Sequence, residues 1–598
     1  MRDSTFRTIG ATAVLLGIAI VAVAQIGPDE EVPTELVVPE DTRPEQLDAA
    51  GDQPFQYRVG LLAGVSTTNF WEYIGDQPTA WNAYVLGPTK PALYGIDSAS
   101  NELVPELAAE QTPPPPTKDQ DGWIVRVELE DEFAWSDGET VTSADVVYTF
   151  ETVRALGLGG GWTDAYPAEI EAIVAESATE LTIELSERPS LGIWPHRIGL
   201  APIMPAHIWA PLTADIDNDR ELYGLDGAED VSGGPLRIVS VTEGRIETAA
   251  NPGYPGASVD GIVYTVFSDE AAAVSALETG EIDTILNPNG LSEESVSALG
   301  DTAEVSIERS PANSVRYLGF NLTRAPMSEP AFRQSLALLL DREAVTESLL
   351  PEAEAAYTML SSANLSWFDE EQASSIAEPY SRDLNGRLEA AMSSLQEAGY
   401  AWSTPPAVVD GALSPGIGLT IDGQTPAPLT ILTPGDEYDP ARPDYTSRIE
   451  TTLELIGFDV RPVVTDFDTV VDLAFAEDAA GARQYDMYLL GWTLGNPVLP
   501  DYYRWLFATD GAANSTGYSD PEFGAQLARY EEATGLVEAK AALWGMEQTL
   551  ARDLPYLVLY HPDIVEGYRS DRVRFDQHAV LGGIQGRLGG LADLHPVS

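Results

Sequence analysis

No cysteine occurs among the 598 residues, and only Lys90, Lys118 and Lys540 are lysine. Without cysteine the chain can form no disulfide, offers no thiolate to a metal and has no site for lipid attachment, so it is not a lipoprotein. Histidine is nearly as scarce. His196, His207, His561, His578 and His595 are the whole set, and no two lie close enough in sequence to suggest a metal site. There is no Gly-x-Ser-x-Gly elbow, no His-Glu-x-x-His pair and no Gly-x-x-x-x-Gly-Lys loop. The glycines from Gly157 to Gly161 lack the Gly-x-Gly-x-x-Gly spacing. These absences leave no catalytic residue, metal or cofactor to assign. With 95 acidic residues, carboxylate spacing alone nominates no acid–base pair either.

What the chain has in excess is negative charge. Its 32 basic residues leave a net charge of −63, a field that repels phosphate backbones and anionic membranes, so no nucleic-acid partner is expected. Abundant acids with few lysines suit a salty exterior, because screening weakens carboxylate repulsion; a GC-rich genome also favours Arg over Lys, and both readings stand. An apolar content of 44% with 9% aromatics is ordinary globular composition and excludes global disorder. The length allows roughly three or four domain-sized units, or one large two-lobed protein.

Residues 1–24 read as a signal peptide. Arg2 and Arg7 precede an apolar, small-residue run from Ile9 to Ala24, and Ala22-Val23-Ala24 before Gln25 has the small-x-small form of a cleavage site. The run is short for a spanning helix, so cleavage is favoured over an uncleaved anchor, and export to the periplasm or the outer face of the cytoplasmic membrane is expected. Residues 25–54 are acidic and carry Pro28, Pro33, Pro39 and Pro44, the composition of a disordered tether. No later segment is long and apolar enough to cross a membrane.

From about Phe55 onward, strand and helix patterns alternate, and the fold class is α/β. Phe55, Tyr57, Val59 and Leu61 alternate as in a strand, as do Trp123, Val125, Val127 and Leu129, and Leu181, Ile183 and Leu185. Thr142 with Asp145 three positions on predicts the capped start of a helix running to Leu156. Ser328 and Pro330 open another, with Leu336, Leu339, Leu340 and Val345 on one face. A strand at 429–432, a helix at 444–456 closed by Gly457 and a strand at 460–464 read as a βαβ unit.

Longer motifs carry a resemblance. Asn101-Glu102-Leu103-Val104-Pro105-Glu106-Leu107-Ala108 is followed by Trp135-Ser136-Asp137-Gly138-Glu139-Thr140-Val141-Thr142-Ser143-Ala144-Asp145-Val146-Val147-Tyr148. Then come Gly233-Gly234-Pro235-Leu236, Asn251-Pro252-Gly253-Tyr254, Gly280-Glu281-Ile282-Asp283, Gly319-Phe320-Asn321 and Phe332-Arg333-Gln334-Ser335. Glu397-Ala398-Gly399-Tyr400, Asn514-Ser515-Thr516-Gly517-Tyr518 and Pro555-Tyr556-Leu557 complete the series. In this order the motifs resemble the family 5 extracellular solute-binding proteins, which serve peptide, opine and nickel ABC importers. Each motif also reads as turn and cap chemistry; Trp135-Ser136-Asp137-Gly138, for instance, has the composition of a tight turn.

The resemblance implies two lobes around a ligand cleft, a type II periplasmic-binding-protein-like fold with an extra inserted subdomain. Lobe one takes residues 55–94, 201–315 and 558–598, the inserted subdomain 95–200, and lobe two 316–557. It implies a monomeric binding protein, without enzymatic activity, that captures a small-molecule or peptide ligand by lobe closure and delivers it to a permease with cytoplasmic ATPases. A surface signalling protein of the same fold, or a secreted hydrolase, are the alternatives.

The resemblance also places the ligand site. The segment Tyr485 to Trp492 looks like a family strand that leads to a cleft loop, where peptide-binding members carry an Asp three residues after the Trp to grip the ligand's amino group. This chain has Gly495 there, so that clamp is lacking unless Asp501 reaches in. Trp492, Gly495, Asn496, Tyr502 and Arg504 on that loop are the first ligand-binding candidates, with flat faces and donors suited to sugars, aromatic groups or a peptide backbone. Asn69 and Trp71, just after the first strand, and Asn321, just past the first crossing, are the others.

Overall fold

The computed structural model describes residues 55–597 except 98–99, 120–121, 226–230, 256–258, 301, 351–352, 436–440, 477–482, 484, 495–497, 576–579, 587–590 and 592–593. The signal-peptide and tether expectations fall on 1–54, outside the described residues.

Three sheets organise the chain. The first has seven strands in the order Val305–Pro311, Asp563–Arg569, Thr284–Leu286, Gln56–Leu61, Gly261–Val266, Arg245–Ala250 and Leu236–Thr242. Its centre is parallel: Gln56–Leu61 pairs Gly261–Val266 residue for residue and Thr284–Leu286 on the other side. The second has six strands, Glu354–Ala355, Tyr556–His561, Ser314–Phe320, Met487–Thr493, Leu429–Pro434 and Val460–Thr465. A four-stranded antiparallel sheet from the 117–185 region is the third.

Helices cover both faces of the second sheet, as the period of two along its strands requires. Leu557 and Leu559 pack with Leu336, Leu388, Leu395, Tyr445 and Leu453 on one side. Tyr556 and Val558 pack with Tyr488, Leu527, Leu543 and Leu550 on the other.

The chain passes between the first two sheets twice, and the two passages lie side by side. Val305–Pro311 continues into Ser314–Phe320, and Tyr556–His561 returns into Asp563–Arg569. In each sheet the two continuing strands pair antiparallel. At the passage itself the Ala312 N–H donates to the Pro562 carbonyl at 3.0 Å, and His561 Nδ1 donates to the Ser314 carbonyl at 2.9 Å.

The expected strands appear as Gln56–Leu61, Trp123–Glu128 and Glu180–Leu185, and the βαβ unit as Leu429–Pro434, Ala441–Ile456 and Val460–Thr465, its strands parallel. Ser143–Leu156 is helical, with the Asp145 carboxylate accepting the Thr142 N–H at 2.8 Å. The helix expected from Pro330 through Val345 differs. It divides into Pro330–Leu339 and Arg342–Leu349, because Leu340 turns extended and the Asp341 carboxylate caps the second helix by accepting from the Ala344 N–H at 3.1 Å. A local cap signal outcompetes the continuing apolar period.

The motifs shared with the family turn out to be joints. Trp135 is 1% exposed, and Gly138 closes the turn with φ +96° and an N–H bond to the Trp135 carbonyl at 2.9 Å. Asn251 donates to the Ser232 and Gly234 carbonyls, both at 3.0 Å, and Asn514 accepts from the Gly517 and Tyr518 N–H groups, both at 3.0 Å. Asp283, fully buried, accepts from Arg58 N–H and Nε at 2.9 and 3.1 Å and from Arg572 Nε at 2.6 Å, tying Gln56–Leu61 and the start of Thr284–Leu286 to the segment beyond Asp563–Arg569.

A carboxylate at 0% exposure that faces two guanidinium groups is replaceable only at the cost of leaving those charges partly uncompensated. Asp283→Asn is expected to destabilise the chain by about 3–5 kcal/mol, read from the urea midpoint; an unchanged midpoint would show that the carboxylate anchors nothing.

Candidate functional site

Two walls of side chains meet where residues 161–197 approach residues 501–533. The first wall starts at Phe70–Gly75, a short helix capped by Asn69, whose Oδ1 accepts the Trp71 N–H at 2.9 Å while its Nδ2 donates to the Leu222 carbonyl, also at 2.9 Å. Trp71 is 0% exposed; its ring lies 4.7 Å from that of Trp162, whose Nε1 donates to the Trp71 carbonyl at 2.9 Å. Trp162 belongs to the helix Gly161–Ala165. That helix can seat against the Phe70–Gly75 helix only because Gly160 precedes it: a Cβ there would stand 2.3 Å from the Gly75 carbonyl oxygen, and the backbone is left-handed at φ +59°. Asn69 and Trp71 therefore support the helix that carries Asp164.

The second wall grows from the end of the strand Met487–Thr493. Trp492 is half-buried, edge-on to Trp505 at 5.2 Å and to Phe475 at 6.0 Å, and among the described residues its Nε1 has no hydrogen-bond partner. The chain then enters the helix Tyr502–Phe507 at Asp501. Tyr502 is 2% exposed and stacks on Tyr503 at 4.5 Å. Arg504 is solvent-exposed and pairs with Asp510 at 3.4 Å and Glu531 at 3.5 Å. Asn321 lies elsewhere, fully buried, its Nδ2 donating to the Tyr485 carbonyl at 2.8 Å and its Oδ1 accepting from Thr323. Gly495 and Asn496 are outside the described residues.

Of the expected site residues, then, Trp492, Tyr502 and Arg504 share one wall, Asn69 and Trp71 underpin the other, and Asn321 is a joint behind the sheet. The walls meet where the Leu191 N–H donates to the Ala533 carbonyl at 2.7 Å and where Ser366 Oγ donates to the Ser100 carbonyl, also at 2.7 Å.

Four residues that the sequence did not single out converge beside this contact: Asp164 and Arg197 from the inserted segment, Tyr530 and Glu531 from the helix Pro521–Glu532. Desolvation by the surrounding protein is the main cause that pushes the Asp501 carboxyl up, although Arg197 acts against this. Asp164 is pushed up to about 6, first by desolvation, with Arg197 opposing and Asp501 adding to the rise. No local motif marks these four; only the folded chain brings them together. Among the described residues no group of three or more His, Asp or Glu side chains could hold a metal ion, and no helix is long and apolar enough to cross a membrane.

Two α/β lobes joined by paired strand passages, with side chains from both sides meeting at one cleft, define a two-lobed solute-binding fold. The profile of the bacterial extracellular solute-binding proteins, family 5, matches residues 102–514, and the chain belongs to that family. An ABC transporter peptide-binding protein of Brucella ovis is 27% identical over 219 residues, 36% of this chain and 40% of that protein. The match thus spans less than half of that relative's length. Among solved structures, the ABC transporter substrate-binding protein CtaP of Listeria monocytogenes superposes with a TM-score of 0.70 at 17% identity, covering 92% of this chain and 100% of that one. NikZ of Campylobacter jejuni, solved in complex with Ni(L-His), gives 0.62 at 18% identity, covering 90% and 99%. These likenesses establish the fold.

The second wall rests on a buried acid. Glu547 accepts from Tyr503 Oη at 2.5 Å and from the Leu360 and Met359 N–H groups at 3.0 and 3.3 Å. Burial is the main cause that raises its carboxyl from 4.5 to about 7, with those hydrogen bonds pulling the other way. Between those two values the folded chain holds a proton that the unfolded chain has released, so this group's contribution to stability is present at the acid end and is lost as pH rises through about 7. Glu547→Gln removes the dependence. Relative to wild type, its thermal midpoint is expected to improve between about pH 5 and pH 7.5; a difference that stays constant across that range would refute the assignment.

Proposed function

We propose that this chain is an extracytoplasmic solute-binding protein that captures a peptide-like ligand between its lobes and delivers it to the permease of an ABC importer. The observation that carries this reading is the pair of adjacent passages at 311–314 and 561–563: bonded to each other, they leave one connecting ribbon about which two lobes can swing as bodies. A ligand that touches both walls then shifts the open–closed equilibrium by its differential affinity, and a permease that reads the closed form needs no covalent chemistry. No catalytic role is assigned to any residue.

In this reading residues 55–94, 201–315 and 558–598 form one lobe, 316–557 the other, and 95–200 an inserted subdomain. Export through a cleaved signal at 1–24, a tether at 25–54 and a monomeric state belong to the same proposal. The ligand class is supported by the peptide-binding name of the Brucella relative and by the flat faces of Trp492 and Trp505. NikZ, with its Ni(L-His), has the same fold, so side chains and not architecture set the ligand. Trp492, with its buried and unpartnered Nε1, is the first contact we assign. Arg504 and the 495–496 loop flank it.

Mass spectrometry of small molecules released from the mature protein, purified from its native host and compared with a mock preparation, is expected to return a stoichiometric peptide-like solute. An empty protein that shows no thermal shift with pooled peptides, sugars or metal chelates, in low and high salt, would favour a surface signalling role instead. Trp492→Phe keeps the flat face and deletes the N–H; it is expected to weaken binding of the recovered solute about fivefold, the worth of one hydrogen bond near 1 kcal/mol. Unchanged affinity would remove Trp492 from the site.

A further inference from the structure

In the proposed lobe assignment the segment around Trp194 belongs to the inserted subdomain, yet its tip is seated on the other lobe. Trp194 and Ile198 root it at home. Trp194 is 4% exposed, its Nε1 donates to the Pro114 carbonyl at 2.8 Å, and both side chains pack in the cluster that holds Trp71 and Trp162. Leu191, three residues before Trp194, packs instead against the apolar cluster of Leu499, Tyr502 and Leu543. Its N–H donates to the Ala533 carbonyl at 2.7 Å, just past the helix Pro521–Glu532. Gly192 follows with its backbone against Leu499, where a Cβ would stand 3.5 Å from Leu499 Cδ2.

The tip is braced on its own side. The Ser190 carbonyl accepts from the Ile193 and Trp194 N–H groups at 3.1 and 3.0 Å, and the Leu191 carbonyl accepts from His196 Nδ1 at 3.0 Å. Both backbone groups of Leu191 are therefore used, the carbonyl within its own segment and the N–H across to the other lobe. A second crossing lies apart from it, where Ser366 Oγ donates to the Ser100 carbonyl at 2.7 Å. Both crossings are direct contacts between protein groups, and neither uses a charge. That matters in this chain, because acids outnumber bases on both lobes and their fields oppose closure. An apolar tip and a backbone hydrogen bond are indifferent to that repulsion.

We propose that residues 190–192 form a latch, rooted by Trp194 in one lobe and seated by Leu191 against the other, that keeps a closed form populated without solute. The proposal rests on the two-lobed solute-binding reading and deepens it: the chain itself supplies part of the free energy of closure, and the solute supplies the remainder. Apparent affinity then follows the closed share, so the latch tunes binding without a contact to the solute.

The test measures the distance between the lobes in the mature protein after bound solute has been stripped in guanidinium and dialysed away. The chain has no cysteine, so nitroxide labels go only to introduced ones. Ala178→Cys on the inserted segment and Ala525→Cys on the helix Pro521–Glu532 are both exposed, and neither lies in the latch. Double electron–electron resonance is expected to show a short-distance population in the solute-free protein. Leu191→Asp, which sets a charge against the apolar cluster, should lower that population relative to the longer one by about tenfold or more. Leu191→Ala trims a half-buried side chain and should lower it severalfold, which keeps the test open if the aspartate variant does not fold. A solute-free distance distribution that neither variant moves would overturn the latch. A short-distance population lost in the variants upholds it even if no solute is recovered from the native host, so failure of the importer reading is seen separately.

Discussion

The structure depends on one constraint: both passages between the first and second sheets occur at the same place and are bonded to each other. Because the Ala312 N–H meets the Pro562 carbonyl, two strands that differ by some 250 positions in sequence act as one ribbon. In the first sheet the ribbon forms one edge, with Val305–Pro311 outermost, whereas in the second Tyr556–His561 and Ser314–Phe320 are inner strands, so both lobes grow from the connection. The cleft walls follow from it. The strand beside the ribbon in the second sheet, Met487–Thr493, carries Trp492 next to its end and leads on to Asp501.

Within a chain of net charge −63, most carboxylates can be solvated, so the buried ones show where the architecture needs an acceptor. Asp283 collects Arg58 and Arg572 at the first sheet. Asp486 accepts the Thr430 N–H at 2.9 Å and pairs with Arg324 in the second. Asp145 accepts from Thr142 and Ala206, both at 2.8 Å, and so joins the helix Ser143–Leu156 to the next layer. Glu547 holds the chain at 359–360 against the helix that carries it. Each has its partners in place. Asp164 differs in kind: desolvation raises its carboxyl, with Arg197 opposing and Asp501 adding to the rise.

Much of the fold was legible locally. Alternation at Tyr57, Val59 and Leu61 and the Thr142/Asp145 pair predict elements that the structure contains, because side-chain period and cap geometry are short-range physics. The one helix drawn too long failed for an equally local reason, since Asp341 is both a tolerable helical residue and a strong cap. The family motifs were legible as well, yet Trp135, Asn251 and Asn321 proved to be buried joints and Asn514 a half-buried one. A sequence signature records what must not change for the fold to close, and in this chain that is mainly turn and cap hydrogen bonding.

The sequence by itself determined the α/β class, the two-lobed family architecture and the lack of thiol and phosphate-loop chemistry, because each is written in residue types and short motifs along the chain. Only the tertiary structure decided that Asn69 and Trp71 support a wall, that Glu547 braces the other, and that Asp164, Arg197, Asp501 and Tyr530 share one space. Those last four are drawn from segments more than 300 positions apart. Their electrostatic coupling depends on separation through space and on desolvation, and neither quantity exists until the lobes are folded against each other.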